Sequence, residues 1–169
     1  MSEETVQTAA APAMTPSYML RFYDQGLVLE LTERLVQEKL LNEAQLGEMQ
    51  GRAALTGKGL DALLFTESAI AEADLLRHLS ELSGIPLKTV ADYKIEPEAI
   101  ARVPAKIALR HRIVPLNFTD GILTLAVSRV PSLTTVDGLR MVLDSALDWL
   151  LVPESDVARS LTHFYGLGA

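Results

Sequence analysis

The sequence predicts a mixed α/β (α+β) fold: a helical N-terminal lobe of two helix–turn–helix repeats, then a small three-stranded sheet packed with helices. Three observations carry this. Leucines recur at helical spacing from Leu27 to Leu87. After Pro86 the apolar residues alternate in two short segments joined by "TDG". A further helical stretch and a third apolar segment follow, which is the order of a crossover unit.

Residues 1–17 are Ala, Thr, Glu and Pro with little to bury, and are expected to form a disordered tail. The helical lobe is expected over residues 18–86 and the α/β lobe over 87–169. In "LVLELTERLVQEKLLNEAQLGEMQ", Leu31, Leu35 and Leu46 lie on one stripe, broken around "KLLN". Asn42 there is a helix cap, with Gln45 three residues on as in a capping box. The loop "LTGKG" follows. Next comes "LDALLFTESAIAEADLLRHLSELSGIP", with Leu60, Leu64, Leu75, Leu79 and Leu82 in phase and Gly84 and Pro86 as stop signals. A shift of 29 residues places Leu31 on Leu60, Leu35 on Leu64, Leu41 on Ile70 and Leu46 on Leu75. That phase describes a tandem repeat.

Beyond Pro86, "EPEAIARV" is a short helix cut by Pro104, and "PAKIALRH" a second with proline at its first position. Val114, Leu116 and Phe118 alternate, as do Leu123, Leu125 and Val127, so "TDG" joins a hairpin. Pro115 has no amide hydrogen, which puts its strand at an edge or beside a bulge. "SLTTVDGLRMVLD" reads as a helix with Val136, Leu139 and Leu143 inward, and "LDWLLV" as the third strand. Pro153 opens a last helix, with Val157, Leu161 and Phe164 on one face and Gly166 at its end.

Composition narrows the function classes. The chain has 169 residues, 49% of them hydrophobic and 22% charged, enough to bury a real core. A net charge of -7 and a pI near 4.9 argue against nucleic acid as a partner. The absence of cysteine excludes disulfides, thiol nucleophiles and cysteine metal sites. His78, His111 and His163 show no metal-ligand spacing, and His78 is expected on a helix surface. No catalytic set, metal site or cofactor is expected. The acidic start has no signal-peptide pattern, and no apolar run approaches the ~20 residues of a membrane span. A cytoplasmic protein without direct membrane insertion is expected.

Chemical motifs mostly fail on spacing. In "GRAALTGKG", five residues separate Gly51 from Gly57, where a P-loop needs four, and Gly59 stands where Ser or Thr should follow Lys58. Glu33 with Gln37, and Glu72 with Arg77, read as solvated helix faces. Glu154 and Asp156 fall in a helix's first turn, where the macrodipole favours them. Trp149 is expected in the core or between lobes.

One cluster stands out in this acidic chain: Lys106, Arg110, His111 and Arg112. Arg110 and His111 close a helix, where cations face its negative end. The other reading is a contact site for an acidic partner surface, with Lys106, Arg110 and Arg112 as its residues.

With "ADLLRHLSELSGIPL", "IEPEAIARVPAKIALRHRIVPL", "GILTLAVS" and "VARSLTHFYG" in this order, the chain resembles the N-terminal domain of the ATPases that drive type II secretion and type IV pilus assembly. The resemblance runs from about Leu27 to Gly166 and includes two helical repeats ahead of the α/β lobe. In some members of that family the repeats bind cyclic di-GMP through an arginine, glycines, leucines and a closing glutamine. On that pattern Leu31, Leu35, Leu46, Leu60, Leu64, Leu75 and Leu79 keep their places. Glu30 and Gly59 stand at the arginine, Thr32 and Asp61 at the first glycine, Lys39 and Ser68 at the second, and Ala53 and Leu82 at the glutamine. The leucines at these ligand-binding repeat positions are therefore expected to be core, and the nucleotide site degenerate.

The resemblance implies a non-catalytic module that docks a secretion or pilus ATPase motor to the cytoplasmic part of an inner-membrane platform protein, held peripherally at that membrane. The alternative is a cyclic di-GMP-like sensor with a diverged site, in which Arg34, Lys39, Arg52 and Lys58 rebuild an anion pocket. The family continues into an ATPase core beyond the Tyr165-Gly166 end of this domain. The chain is thus expected to be either a separate protein or a fragment without its motor, and not to hydrolyse ATP.

Overall fold

The computed structural model describes residues 20–166, so the tail expected at residues 1–17 lies outside the described residues. Eight α-helices and one three-stranded sheet are found there. No helix among the described residues is long and apolar enough to cross a membrane.

Helix α1 (Gln25–Gln37) starts where the Asp24 carboxylate accepts the Leu27 amide at 2.8 Å. Its buried stripe is Leu27, Val28, Leu31, Thr32 and Leu35. The α1–α2 turn passes through Lys39, which is left-handed at φ 63. Helix α2 (Glu43–Thr56) opens with the capping box read from sequence: Asn42 accepts from the Gln45 amide at 2.7 Å, and Gln45 accepts from the Asn42 amide at 2.9 Å. Gly57, at φ 74, closes α2 in a conformation that glycine adopts without steric cost. Helices α3 (Leu60–Glu67) and α4 (Glu72–Ser83) repeat this arrangement, and α4 begins 29 residues after α2 does.

Past Gly84 the chain runs alongside the sheet. The Leu151 amide donates to Pro86 and the Lys88 amide donates to Leu151, both at 2.8 Å. Two short helices follow, α5 (Pro97–Arg102) and α6 (Ala105–His111). Pro104 is the N-cap of α6 rather than its first residue. Strands β1 (Val114–Thr119) and β2 (Ile122–Val127) form the hairpin, with Asp120 at φ 55 and Gly121 at φ 80 in its turn. Both readings of Pro115 hold: β1 is the edge strand, and the register shifts between Pro115 and Asn117. Helix α7 (Leu133–Leu143) carries the chain over to β3 (Ala146–Leu151), which pairs parallel with β2.

Helix α8 (Glu154–Tyr165) buries Val157 and Leu161 as expected. Phe164, expected beside them, is exposed instead. Tyr165 turns inward in its place, four residues after Leu161, and its hydroxyl donates toward the carbonyls of Val103 at 3.0 Å and Ile100 at 3.3 Å.

One continuous apolar cluster reaches from Leu27 to Leu161, with Trp149 fully buried within it. Polar contacts stitch the helical and α/β halves along this core. The Tyr23 amide donates to the Pro131 carbonyl at 2.7 Å. The Arg129 guanidinium lies 4.4 Å from the Phe65 ring centre.

Candidate functional site

The repeat positions come first, since the sequence singles them out. Leu31, Leu35, Leu64 and Leu75 are fully buried, and each contributes to the common core. Leu46 and Leu60 are half-buried and line two surface troughs. One trough, about 660 Å³, runs between α1 and α2 past Val36, Glu43, Leu46 and Gln50. The other, about 380 Å³, shares Gln50 and continues past Val28, Leu29, Ala54 and Leu60. Leu29, which lines the second trough, is 55% exposed, and Leu55 of α2 is 88% exposed.

The polar positions of the repeats are engaged elsewhere. Glu30 pairs with Arg21 at 3.0 Å. Gly59 is hemmed in: a Cβ there would sit 2.7 Å from the Asp61 carboxylate and 3.1 Å from the Tyr23 hydroxyl. Burial, reinforced by the nearby Asp61 carboxylate, pushes the Tyr23 phenol above its usual pKa. Ser68 folds its hydroxyl onto the Leu64 carbonyl at 2.6 Å. Only Lys39 keeps a trace of a glycine position, in its left-handed backbone.

The four cations of the anion-pocket reading do not converge. Arg34 is paired with Glu81 at 2.6 Å, and Arg52 with Glu67. Of the four, Lys58 alone lines the second trough. Gly51 lies inside α2, and Gly57 caps that helix.

Two expectations about surface residues are corrected by packing. His78 is buried, only 1% exposed, because α4 packs against α1. Its Nε2 lies 3.1 Å from the Glu38 carboxylate, and its Nδ1 has no partner. Burial pulls the Glu38 pKa up, but hydrogen bonds from Arg77 and His78 outweigh it and hold the carboxyl below its usual range. Glu72 does not pair with Arg77 either. Arg77 reaches Glu38 at 3.3 Å and Asp74 at 3.4 Å, while Glu72 accepts the backbone amide of Glu154 at 2.9 Å. No group of potential metal ligands occurs among the described residues.

The basic cluster is divided by the fold. Arg110 and His111 fall in the last turn of α6, and Arg112 caps it in a left-handed conformation at φ 50. Arg112 pairs with Glu154, whose other carboxylate oxygen accepts from the Ser128 hydroxyl at 2.5 Å. Arg110 and Arg112 line a recess of about 530 Å³ with Arg129 and Trp149; Lys106 does not. Sequence reasoning missed Arg129. Its signal was position, directly after β2 where a parallel strand hands over to its crossover helix.

A family model for the MshEN domain matches residues 83–169, just over half of the chain. The chain belongs to the MshEN domain family. The match covers the α/β half, and the helical half is placed by solved structures. MshE with cdg aligns at a TM-score of 0.69 and 24% identity, covering 80% of this MshEN chain and 98% of that one. The N-terminal domain of XpsE aligns at 0.66 and 18% identity, covering 82% and 96%. At these identities the likeness is one of fold. The type IV pilus assembly ATPase PilB of Myxococcus xanthus is 27% identical over 135 residues, or 80% of this chain. The chain spans only 24% of PilB. The resemblance to the N-terminal domains of secretion and pilus ATPases is thereby borne out, as is the mixed α/β fold.

Proposed function

We propose that this MshEN domain is a non-catalytic docking and regulatory module of a type II secretion or type IV pilus motor. In this reading it joins the ATPase to the cytoplasmic part of an inner-membrane platform protein and is held peripherally at that membrane. ATP hydrolysis belongs to a separate domain, in keeping with the small share of PilB that the chain spans.

The observation that carries the proposal is the state of the repeats. Their arginine and glycine positions are occupied by residues that pair internally or crowd the backbone, as at Glu30 and Gly59. What remains on that side is one trough lined by Val36 and Leu46 and rimmed by Glu33 and Glu43, and a second that carries the exposed Leu29. An apolar floor with an acidic rim suits a partner segment with an apolar face and basic flanks. Pull-down with the cytoplasmic platform domain, with the motor present, is expected to retain this chain. Failure to bind there overturns the proposal.

A second reading, a cyclic di-GMP-like sensor, draws support from the structure of MshE with cdg and from the left-handed Lys39. Against it, Glu30 and Asp61 place negative charge where a dianionic ligand would approach. Calorimetric titration with cyclic di-GMP separates the two. The docking reading expects no saturable heat in the micromolar range, and clear saturation establishes the sensor.

A further inference from the structure

We infer that the recess at the carboxyl ends of β2 and β3 is a binding site for a small phosphate ester of nucleotide size, with Arg110 and Arg129 as its phosphate-binding residues. The site is independent of the docking trough.

Its position follows from topology. β2 and β3 are parallel, and their ends at Val127 and Leu151 lead into Ser128–Arg129 and Val152–Glu154. Small ligands gather at this end of parallel strands, where the connections diverge and leave a crevice. Helix α6 ends at the same edge, because β1 runs antiparallel to β2 and begins there. Residues distant in sequence thus share one recess of about 530 Å³, within the usual range for small-molecule pockets.

Its charge runs against that of the molecule. Three arginines and His111 face a single carboxylate, Glu154, in a chain of net charge -7. That carboxylate is already held by Arg112 and Ser128. Among the described residues, Arg110 and Arg129 have no carboxylate partner. Arg129 is steadied over the Phe65 ring, so its guanidinium loses less freedom on binding an anion. Guanidinium groups suit phosphate, which they hold with paired, charge-assisted hydrogen bonds.

The lining favours a ligand with an organic part. Trp149 lines the recess and is 1% exposed, so its indole contributes apolar surface beside the arginines. Val127, Val130 and Leu139 supply apolar wall, which favours an ester with an organic group over bare phosphate. Lys106, outside the recess, takes no part.

The chain's single tryptophan is itself the reporter. Titration of the full chain with ADP, and separately with pyrophosphate, followed by tryptophan fluorescence and calorimetry, is expected to saturate, with ADP the tighter. Arg110→Glu and Arg129→Glu are each expected to weaken ADP binding by at least about tenfold, the scale of one lost charge-assisted contact. Lys106→Glu is expected to change it by less than about twofold. Arg129→Lys, which keeps the charge and the fold but not the fork, is expected to fall between wild type and Arg129→Glu. Absence of saturation up to about 5 mM of either probe, a free energy near the floor of specific binding, overturns the proposal. Saturation that both glutamate variants leave intact also overturns it. If ADP is silent and a partner protein depends on Arg110 and Arg129, the recess is an acidic docking site and the proposal fails.

Discussion

The carboxylate of Glu72, at the start of α4, accepts the backbone amide of Glu154, at the start of α8, at 2.9 Å. Two helix N-termini thus meet across the junction of the helical and α/β halves, and a side chain from one caps the other. The first amides of a helix have no partner within it, so a carboxylate from elsewhere in the chain is well placed there. The same Glu154 carries Arg112 and Ser128 on its side chain. A single residue therefore links the helical half, the end of α6 and the end of β2.

Glu72→Ala is expected to destabilise the fold by about 1 kcal/mol, the scale of a lost N-terminal cap. Glu72→Gln keeps an acceptor and is expected to cost a few tenths of that. Urea unfolding of the two variants checks the difference. Equal losses would show that the bond to the Glu154 amide is not what Glu72 contributes.

Lys39 holds a left-handed backbone at φ 63, a conformation that costs a residue with a Cβ roughly 1–2 kcal/mol and costs glycine nothing. Glycine gives part of that back through its greater freedom in the unfolded chain. Lys39→Gly is accordingly expected to stabilise the fold by about 0.5–1 kcal/mol, read as a higher unfolding midpoint at unchanged slope. A lower midpoint would show that the lysine side chain contributes more than its backbone costs.

The features legible in the sequence are those whose cause is local. The Asn42–Gln45 capping box spans four residues, the Asp120–Gly121 turn two, and the edge position of Pro115 follows from its missing amide hydrogen. The features that escaped depend on what a helix face meets. His78 sits at the margin of the Leu75–Leu79 stripe, and only the packing of α1 against α4 decides that it is buried. Phe164 and Tyr165 are equally plausible neighbours of Leu161, and the carbonyls of Ile100 and Val103 select the residue with a hydroxyl. Glu72 meets Glu154 across 82 residues of sequence, and Arg129 joins Arg110 only once β2 lies beside β1. The repeat leucines were readable as core from their period. The loss of room at Gly59 was not, because it arises from Tyr23 and Asp61.

Leu29 and Leu55 are expected to matter for partner binding and little for stability. Both are exposed, so a polar replacement removes no core contact, and Leu29→Glu and Leu55→Glu should each stay within about 0.5 kcal/mol of wild type. At a docking surface the same changes place a charge in an apolar contact and add to the acidic rim. Each is expected to weaken binding of the cytoplasmic platform domain by about tenfold or more. Calorimetry on the folded variants is the measurement, and undiminished affinity in both would remove this side of the domain from the interface.

Tyr165 gives the fold an alkaline limit. Burial pushes its phenol up to about 12, while in the unfolded chain it titrates near the ordinary tyrosine value of about 10. The folded state therefore holds the proton more tightly, and its contribution is fully present below about pH 10. Between about pH 10 and 12 the unfolded chain loses the proton first, so stability falls as pH rises through that window. Tyr165→Phe removes the titrating group and should flatten this part of the stability profile. Near neutrality the same variant loses the hydroxyl that Ile100 and Val103 share, at an expected cost of about 1 kcal/mol. The advantage of the tyrosine chain over the phenylalanine variant should thus shrink as pH rises from about 9 to 12, because only the tyrosine ionises on unfolding. Parallel curves over that range would place the Tyr165 phenol in solvent-like surroundings, at odds with its position against α5.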